Sequence, residues 1–323
     1  MANPARDRNS IAFLFPGQGS QAVGMGKELA ARYPVAKQTF DEADAALGYA
    51  LSALCFEGPE EKLKMTEVTQ PAILTVSVAA LRVLREQGVK PGFVAGHSLG
   101  EYSAHVAAGT LEFGDAVRIV RNRGRYMQEA VPAGQGAMAA VLGLSLAEIE
   151  AACREAAQDE VVAPANINSP SQVVISGHAA AVERAAELVK QRGAKRAVML
   201  PVSAPFHCAL MQPAQERLAV DLRAASFHPV NVPLVTNVDA EVIDSAEKAR
   251  DALIRQVTGA VQWEKSMGAL IAAGVQTFVE AGPGKVLCGL MRQIDRWRTC
   301  LNVEDPASLE KTLAQLAQRN STS

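Results

Sequence analysis

The segment VAGHSLGEYSAH, residues 94–105, places Ser98 between two glycines directly after a short apolar run. Gly-x-Ser-x-Gly between a strand and a helix is the nucleophile elbow, a sharp turn that presents the serine hydroxyl at the start of the next helix. The dipole and the free N–H groups at that helix terminus favour a developing oxyanion. A serine that only caps the helix is the alternative, but it leaves both glycines unexplained. The pattern therefore favours Ser98 as a nucleophile.

A serine nucleophile needs a base, and the chain has five histidines. His207 lies in PVSAPFHCALM, an irregular segment that leads into a helix where two predicted domains meet. A loop at such a junction can face the elbow, so His207 is the strongest candidate. We expect packing, turn or surface positions for the other four: His97, His105, His178 and His228.

The order of these residues separates two classes of enzyme. An α/β-hydrolase orders its triad as Ser, then Asp or Glu, then a His near the C-terminus. Here no histidine follows His228. A serine esterase or thioesterase, which would pass an acyl group to water, would have to use a mid-chain histidine and therefore fits less well. It remains the alternative function.

Arg123 lies in a predicted helix over residues 115–129, which turns by about 100° per residue. One face of this helix is polar (Arg118, Arg121, Asn122 and Arg125), and the opposite face is apolar (Ala116, Ile119, Val120 and Met127). Arg123 falls among the apolar residues. An unpaired buried charge is costly, so this guanidinium needs an anion, and its planar fork fits a carboxylate. An internal Asp or Glu partner is the alternative to a substrate carboxylate.

The elements around these residues predict an α/β fold with a mostly parallel sheet, because buried strands such as 11–15 and 93–96 alternate with helices such as 69–88 and 99–108. Residues 137–200 differ, since their order is β-α-β-β-α-β, that of the ferredoxin-like motif, with its first helix predicted over 146–157 and its second strand over 160–166. We predict an inserted small domain within a larger one, with the limits 1–132 (large domain, first part), 133–202 (small domain) and 203–323 (large domain, second part).

Composition limits the possible partners and the compartment. The 323 residues are 49% hydrophobic and 20% charged, and the net charge of −2 gives no bulk attraction to nucleic acid or anionic membranes. No apolar run approaches the length needed to span a bilayer. The five cysteines have no spacing typical of a metal site or a disulfide framework. These features predict a reduced cytoplasmic enzyme without a metal.

Six segments together resemble one family, the malonyl-CoA:acyl carrier protein transacylases of bacterial fatty acid synthesis. The match runs from about residue 11 to residue 315, and the segments occur in the order and spacing of that family. They are FLFPGQGSQ (13–21), GHSLGEY (96–102), RNRGRYMQEA (121–130), SAPFHC (203–208), QVTGAVQW (256–263) and VEAGPGKVLCGL (279–290).

The resemblance implies an α/β-hydrolase-like large domain with a parallel sheet, and a ferredoxin-like small domain inserted in it. It implies that Ser98 is the nucleophile and His207 its base, in a dyad whose imidazole is oriented by the backbone carbonyl of Gln256. It also implies that the backbone N–H groups of Gln18 and Leu99 form the oxyanion hole.

The resemblance assigns further residues to the acyl group. Arg123 matches the arginine that binds the free carboxylate of malonyl. Phe206 is expected to crowd a methyl branch on the malonyl carbon. We expect Asn166 and Asn168 to lie on a loop of the small domain that faces the cleft, where they help to line the acyl site.

The implied reaction transfers malonyl from malonyl-CoA to the phosphopantetheine thiol of acyl carrier protein through a malonyl-serine, without a metal or redox cofactor. A monomer is expected. The pathway served is either primary fatty acid synthesis or, in trans, a polyketide pathway.

Overall fold

A computed structural model describes residues 11–202 and 204–320. The outer limits of the predicted large domain and Ser203 lie outside these residues. The strands are β1 (Ile11–Phe15), β2 (Phe93–Gly96), β3 (Gly136–Leu142), β4 (Val162–Ser169), β5 (Gln172–His178), β6 (Arg196–Met199), β7 (Leu234–Val235), β8 (Val242–Ile243), β9 (Thr277–Ala281) and β10 (Thr299–Val303).

Helices connect these strands, and a short 3-10 helix over Ala209–Met211 precedes the tenth helix. The helices are α1 (Lys27–Arg32), α2 (Pro34–Leu47), α3 (Leu51–Glu57), α4 (Glu60–Leu63), α5 (Thr66–Glu86), α6 (Gly100–Ala108), α7 (Phe113–Glu129), α8 (Leu146–Ala157), α9 (Ala179–Gln191), α10 (Gln212–Ala224), α11 (Ala246–Gln256), α12 (Trp263–Ala272), α13 (Val286–Ile294) and α14 (Pro306–Asn320).

The larger sheet has the strand order β10-β9-β1-β2-β7-β8. All neighbours are parallel except β7 and β8, which form a short antiparallel pair. Helices cover both faces, so the central strand β1 is apolar along its whole length and almost fully buried. The loops that follow β1 and β2 lie side by side at the carboxyl edge of this sheet, where ligands bind in open α/β sheets.

The smaller sheet has the order β4-β5-β3-β6, and all its pairs are antiparallel. Helices α8 and α9 bury their apolar stripes on one face of it, in a core that is separate from that of the larger sheet. The element order from β3 to β6 is the predicted β-α-β-β-α-β, and the predicted limits of α8 agree with the observed ones.

Backbone hydrogen bonds join the smaller sheet to the segment that precedes α12. The N–H of Ile167 on β4 donates to the carbonyl of Val261 at 2.9 Å, and the N–H of Val261 donates to Ala165 at 2.8 Å. Gln293 of α13 adds a polar contact, because its Oε1 accepts from the hydroxyls of Ser169 and Ser171. The cleft between the sheets therefore has walls that are hydrogen-bonded to each other along one side.

Helix α5 corrects two expectations. It spans Thr66–Glu86 rather than residues 69–88, and it contains Pro71 in its interior. Among the described residues it is also the one helix long and apolar enough, by length and composition, to cross a membrane, so the statement that no apolar run approaches that length was too strong. Of the most apolar segment of this helix, 83% is buried inside the protein, because α5 packs between α2, α6 and α7.

The cysteines also differ from the prediction. Cys288 on α13 and Cys300 on β10 form a disulfide, with their Cα atoms 5.3 Å apart. Sequence spacing does not reveal this pair because only the packing of α13 against β10 brings the two residues together. The cysteines at 55, 153 and 208 are free and buried. The expectation of a chain without disulfides is therefore wrong for this pair.

Candidate active site

The turn between β2 and α6 gives Ser98 a left-handed backbone conformation, with a φ of 51°. Two glycines make this turn possible. A Cβ atom on Gly96 would lie 1.9 Å from the carbonyl oxygen of Gly100, and a Cβ on Gly100 would lie 2.0 Å from the carbonyl oxygen of Phe15. Both glycines are therefore required by close backbone approach, as the elbow pattern predicts.

Asn237, which follows β7, holds the elbow from the side. Its Oδ1 accepts a hydrogen bond from the N–H of Ser98 at 2.6 Å, and its Nδ2 donates to the carbonyl of Gly96 at 2.6 Å. Because the N–H of Ser98 is engaged here, a bound oxyanion must be stabilised by N–H groups of other residues. Asn237 was not predicted, although a polar residue at the carboxyl end of a parallel strand is a signal that could have found it.

His207 lies directly against the serine hydroxyl. Its Nε2 is 2.7 Å from Ser98 Oγ, and its Nδ1 is 2.9 Å from the backbone carbonyl of Gln256. A carbonyl only accepts, so Nδ1 carries the proton and Nε2 presents its lone pair to the serine. Burial, assisted by the positive charge of Arg123, lowers the pKa of His207 to about 3 and keeps the imidazole neutral.

Arg123 is buried on the apolar side of α7, where the helical pattern predicted it, while Arg125 is exposed. Its Nη1 donates to Oε1 of Gln70 at 2.9 Å, and its Nη2 donates to Oε1 of Gln256 at 2.9 Å and to Ser98 Oγ at 3.2 Å. Its Nε has no hydrogen-bond partner within the described part of the chain.

No carboxylate among the described residues forms an ion pair with Arg123. The nearby Glu101 reaches it only through the amide of Gln256, which lies between them. A buried guanidinium that borders the cleft and is held by neutral groups would be balanced by an anion bound in the cleft.

The cleft between the two sheets has a volume of about 670 Å³ and contains Ser98 and Arg123 in its wall. The other predicted residues that line it are Gln18, Leu99, Phe206, Asn166, Asn168 and His207. Gln18 is exposed in the loop after β1, and Leu99 is buried at the start of α6. Gln256 approaches the serine from behind this wall.

Asn166 and Asn168 face the cleft, but they do not lie on a loop as expected. Both belong to β4, which continues to Ser169 and pairs with β5 across two irregularities of register. The asparagines resembled a turn because they precede Ser-Pro. In the structure they are the polar members of a strand that borders the cleft.

His97 has a larger place in the site than predicted. Its ring packs against Trp263 with the centroids 5.4 Å apart, as expected for a packing role. However, its Nε2 also lies 2.8 Å from Oδ1 of Asn168, so it links the elbow to the smaller sheet across the cleft. The remaining histidines lie elsewhere, with His105 buried in α6 and His228 partly exposed.

This arrangement can activate a serine, because a neutral imidazole accepts its proton and a guanidinium contacts the same oxygen. Among the described residues, no group of three or more His, Cys, Asp and Glu side chains could hold a metal ion. A serine in such an arrangement can attack an acyl carbon and form a covalent ester.

Comparison with known proteins identifies the class. Residues 12–311 match the family model described as the acyl transferase domain, and the chain belongs to this family. It is an acyltransferase, as its resemblance to that family predicted.

Its relatives are more specific. It is 54% identical over 306 residues to the malonyl CoA-acyl carrier protein transacylase of Salmonella typhimurium. This match covers 94% of this chain and 99% of that protein. The crystal structure of an acyl carrier protein S-malonyltransferase from Vibrio cholerae matches with a TM-score of 0.92, 50% identity and coverage of 94% and 100%. The malonyl-transacylase in complex with a type II PKS acyl-carrier protein matches with a TM-score of 0.93, 49% identity and coverage of 95% and 100%.

Proposed function

We propose that this chain transfers the malonyl group of malonyl-CoA to the phosphopantetheine thiol of an acyl carrier protein, through a malonyl ester on Ser98. The observation that carries the proposal is that the side chains of His207 and Arg123 both contact the hydroxyl oxygen of Ser98. His207 Nε2 lies 2.7 Å from Ser98 Oγ, and Arg123 Nη2 lies 3.2 Å from it. The first group supplies a base and the second a binding point for a carboxylate.

In the first half-reaction, Ser98 Oγ attacks the thioester carbonyl while His207 takes its proton. The tetrahedral oxyanion is stabilised by the backbone N–H groups of Gln18 and Leu99, two residues that line the cleft. The carbonyl of Gln256 fixes the imidazole and stabilises its protonated form. The proton then passes from His207 to the sulfur of CoA, which leaves.

The malonyl carboxylate lies against Arg123, and its charge is balanced there by the guanidinium. Phe206, which is buried in the cleft wall beside His207, limits the space at the malonyl carbon. Asn166 and Asn168 line the opposite wall. A donor that combines a free carboxylate with an unbranched acyl carbon is the one these groups fit best.

In the second half-reaction His207 accepts the proton of the incoming phosphopantetheine thiol, and the thiolate attacks the ester carbonyl. The bond from that carbon to Ser98 Oγ then breaks, and His207 returns the proton to Oγ. The names of the relatives support an acyl carrier protein as acceptor, since one of their structures is a complex with such a protein. All bonds and protons in both half-reactions are accounted for by Ser98 and His207, so the proposal includes no cofactor.

The proposal extends to the organisation of the chain. The strand order β4-β5-β3-β6 supports a ferredoxin-like small domain, with limits at 133 and 202, inserted in an α/β-hydrolase-like domain. We also propose that the protein acts as a monomer in the cytoplasm, in primary fatty acid synthesis or for a polyketide pathway. The disulfide at Cys288 is the feature least expected of a reducing compartment.

Intact-protein mass spectrometry after mixing with labelled malonyl-CoA tests the function. The wild-type protein should gain one malonyl group and Ser98→Ala should gain none, because no other acceptor is proposed. The label should move to holo acyl carrier protein when it is added. Release of the label to water in the presence of carrier protein would indicate the thioesterase alternative, and an adduct on Ser98→Ala would disprove the assignment of the nucleophile.

A further inference from the structure

A buried carboxyl group outside the cleft connects several parts of the site. Glu101 lies in the first turn of α6, and its side chain is fully buried. Its Oε2 accepts two hydrogen bonds, from Nε2 of Gln256 at 2.7 Å and from the backbone N–H of Asn237 at 3.1 Å. These two donors come from different segments of the chain, and Oε2 joins both to the elbow helix.

Gln256 contacts Ser98, His207 and Arg123. Its Nε2 also donates to the carbonyl of Ser98 at 2.9 Å, its Oε1 accepts from Arg123, and its backbone carbonyl holds the imidazole of His207. The orientation of this amide therefore matters. If it turned over, an N–H would face the guanidinium and an oxygen would face the serine carbonyl, and Glu101 opposes that turn.

Asn237 forms the second branch. Its backbone N–H is held by Glu101, and its side chain holds the N–H of Ser98 and the carbonyl of Gly96. Glu101 therefore also stabilises the left-handed conformation of Ser98, through its hydrogen bond to Asn237.

The second carboxyl oxygen indicates how Glu101 is protonated. Within residues 11–202 and 204–320, Oε1 has no hydrogen-bond partner and lies 4.0 Å from Nε2 of His105, which has none either. The hydroxyl of Thr110 donates to the carbonyl of His105, so Nδ1 of His105 donates to Thr110 and Nε2 is an acceptor. A neutral acid, with a C=O at Oε2 and an O–H at Oε1 directed towards His105, fits this arrangement. Burial raises the pKa of Glu101 to about 7, which agrees with it.

We propose that Glu101 is a positioning residue for acyl transfer, whose Oε2 atom holds Gln256 and Asn237 so that Ser98, His207 and Arg123 keep their arrangement. It touches neither substrate nor reacting atoms. The proposal rests on the proposed function for its substrate, but the geometry that it describes concerns the serine itself.

The test compares three variants of the full chain, each corrected for its folded fraction by circular dichroism. Glu101→Gln keeps an acceptor at the position of Oε2 and an N–H directed to His105, and should acylate Ser98 within about threefold of wild type. Glu101→Leu has no acceptor and should acylate about ten- to a hundredfold more slowly, as expected when positioning hydrogen bonds are lost. Glu101→Asp keeps the carboxyl group but withdraws it by one methylene, and should also be slow, by at least fivefold.

Two measurements separate positioning from a purely structural role. The first is labelling of Ser98 by diisopropyl fluorophosphate, which measures the serine and its base without malonyl. The second is the ratio of acylation rates with malonyl-CoA and acetyl-CoA, which should fall in Glu101→Leu because Arg123 serves only the first donor. Ser103→Ala is the matched control, since it removes from the same helix a buried hydroxyl that has no partner among the described residues, and it should change neither measurement.

The outcomes are distinct. Slow labelling in Glu101→Leu and Glu101→Asp, with near-normal labelling in Glu101→Gln, supports the proposal even if malonyl-CoA proves not to be the donor. Equal labelling per folded molecule in all three variants overturns it. If Glu101→Leu does not fold, the comparison of Glu101→Asp with Glu101→Gln decides, and equal rates in those two overturn the proposal.

Discussion

Ser98 and His207 share an uncommon backbone conformation. Both are non-glycine residues in the left-handed region, with φ values of 51° and 59°. Such residues carry about 1–2 kcal/mol of strain each, which persists only where the surrounding structure fixes them. Here Asn237 fixes the first and the carbonyl of Gln256 holds the imidazole of the second. The two residues proposed to react are thus held in strained positions.

The strain at Ser98 can be measured. Ser98→Gly should be more stable than Ser98→Ala by about 1 kcal/mol in free energy of unfolding, and should therefore unfold at a higher temperature. The reason is that glycine adopts positive φ without a Cβ penalty. Both variants lack the hydroxyl, so their difference isolates the backbone. Thermal unfolding followed by circular dichroism provides the values, and a Ser98→Ala variant at least as stable as Ser98→Gly would contradict the strain.

Arg123 should determine the choice of donor. Its loss in Arg123→Ala removes charge-assisted hydrogen bonds of about 1.5–3 kcal/mol to a carboxylate, so kcat/KM for malonyl-CoA should fall about ten- to a hundredfold relative to acetyl-CoA. Arg125→Ala, on the exposed face of the same helix, is the control and should leave the ratio of the two donors unchanged. If both variants shift the ratio equally, Arg123 is not the carboxylate anchor.

At the scale of the element, the elbow depends on three backbone segments that approach closely. The tip of β1 touches the start of α6, and the start of α6 touches the end of β2, at the two glycines. No side chain fits at either contact. The elbow is thus a meeting of β1, β2 and α6 rather than a property of one loop.

Gly100→Ala should therefore prevent the native packing of α6, because its Cβ would lie 2.0 Å from the carbonyl oxygen of Phe15 and neither backbone can move without displacing a strand. We expect a loss of several kcal/mol or an insoluble protein. Gly268→Ala is the matched control, since this helical glycine has open space around its Cβ position. That variant should be neutral or gain up to about 1 kcal/mol, measured by urea unfolding. Equal stability of the two variants would refute the argument.

Elements with a strong local signal could be predicted from the sequence. Helix α8 has a Ser145 cap with Glu148 three residues later and a regular apolar stripe, so its limits were correct. β4 was cut short because Asn166 and Asn168 interrupt its apolar run, and they are polar since they border a cleft that only the tertiary structure creates. The disulfide between Cys288 and Cys300 was not predicted either, because only the tertiary structure brings the two cysteines together.

The candidate site divides in the same way. The elbow pattern identified Ser98, and the helical face identified the burial of Arg123. The hydrogen bonds that Glu101 and Asn237 make join segments 136 residues apart, between positions 101 and 237, and no local pattern reports them.

At the scale of the whole molecule, four buried groups link stability to pH in opposite directions. Burial lowers the pKa of His105 and His207 to about 3 from an ordinary 6.5, and it raises the pKa of Glu101 and Glu280 to about 7 from 4.5. Between pH 4.5 and 6.5 the unfolded chain binds more protons on the histidines, and the folded chain binds more on the glutamates. These contributions offset each other there, and below pH 4.5 the histidines alone reduce stability as the pH falls.

Glu280→Gln removes one of the two glutamates that contribute to this balance. The stabilisation that Glu280 gives the folded protein decreases as the pH rises from 4.5 to 7. Over that range the free energy of unfolding of the variant should therefore increase relative to that of wild type, by about 1.4 kcal/mol per pH unit. A constant cost is also expected, because the carboxylate accepts from the N–H groups of Leu287 and Cys288 at the start of α13. The measurement is the difference in unfolding free energy at several pH values, and a difference that does not vary with pH would show that Glu280 is ionised in the folded protein.

Helix α5 has a consequence for the synthesis of the chain on the ribosome. It is as apolar as a membrane segment, and α7, which packs along it, follows only at residues 113–129. For the time needed to add those residues, α2 is already present to pack on α5, but the face of α5 that α7 covers stays exposed. A product that ends between residues 86 and 113 would keep it exposed, and would aggregate or enter a lipid bilayer. The arrival of α7 is the step of translation that makes α5 compatible with water.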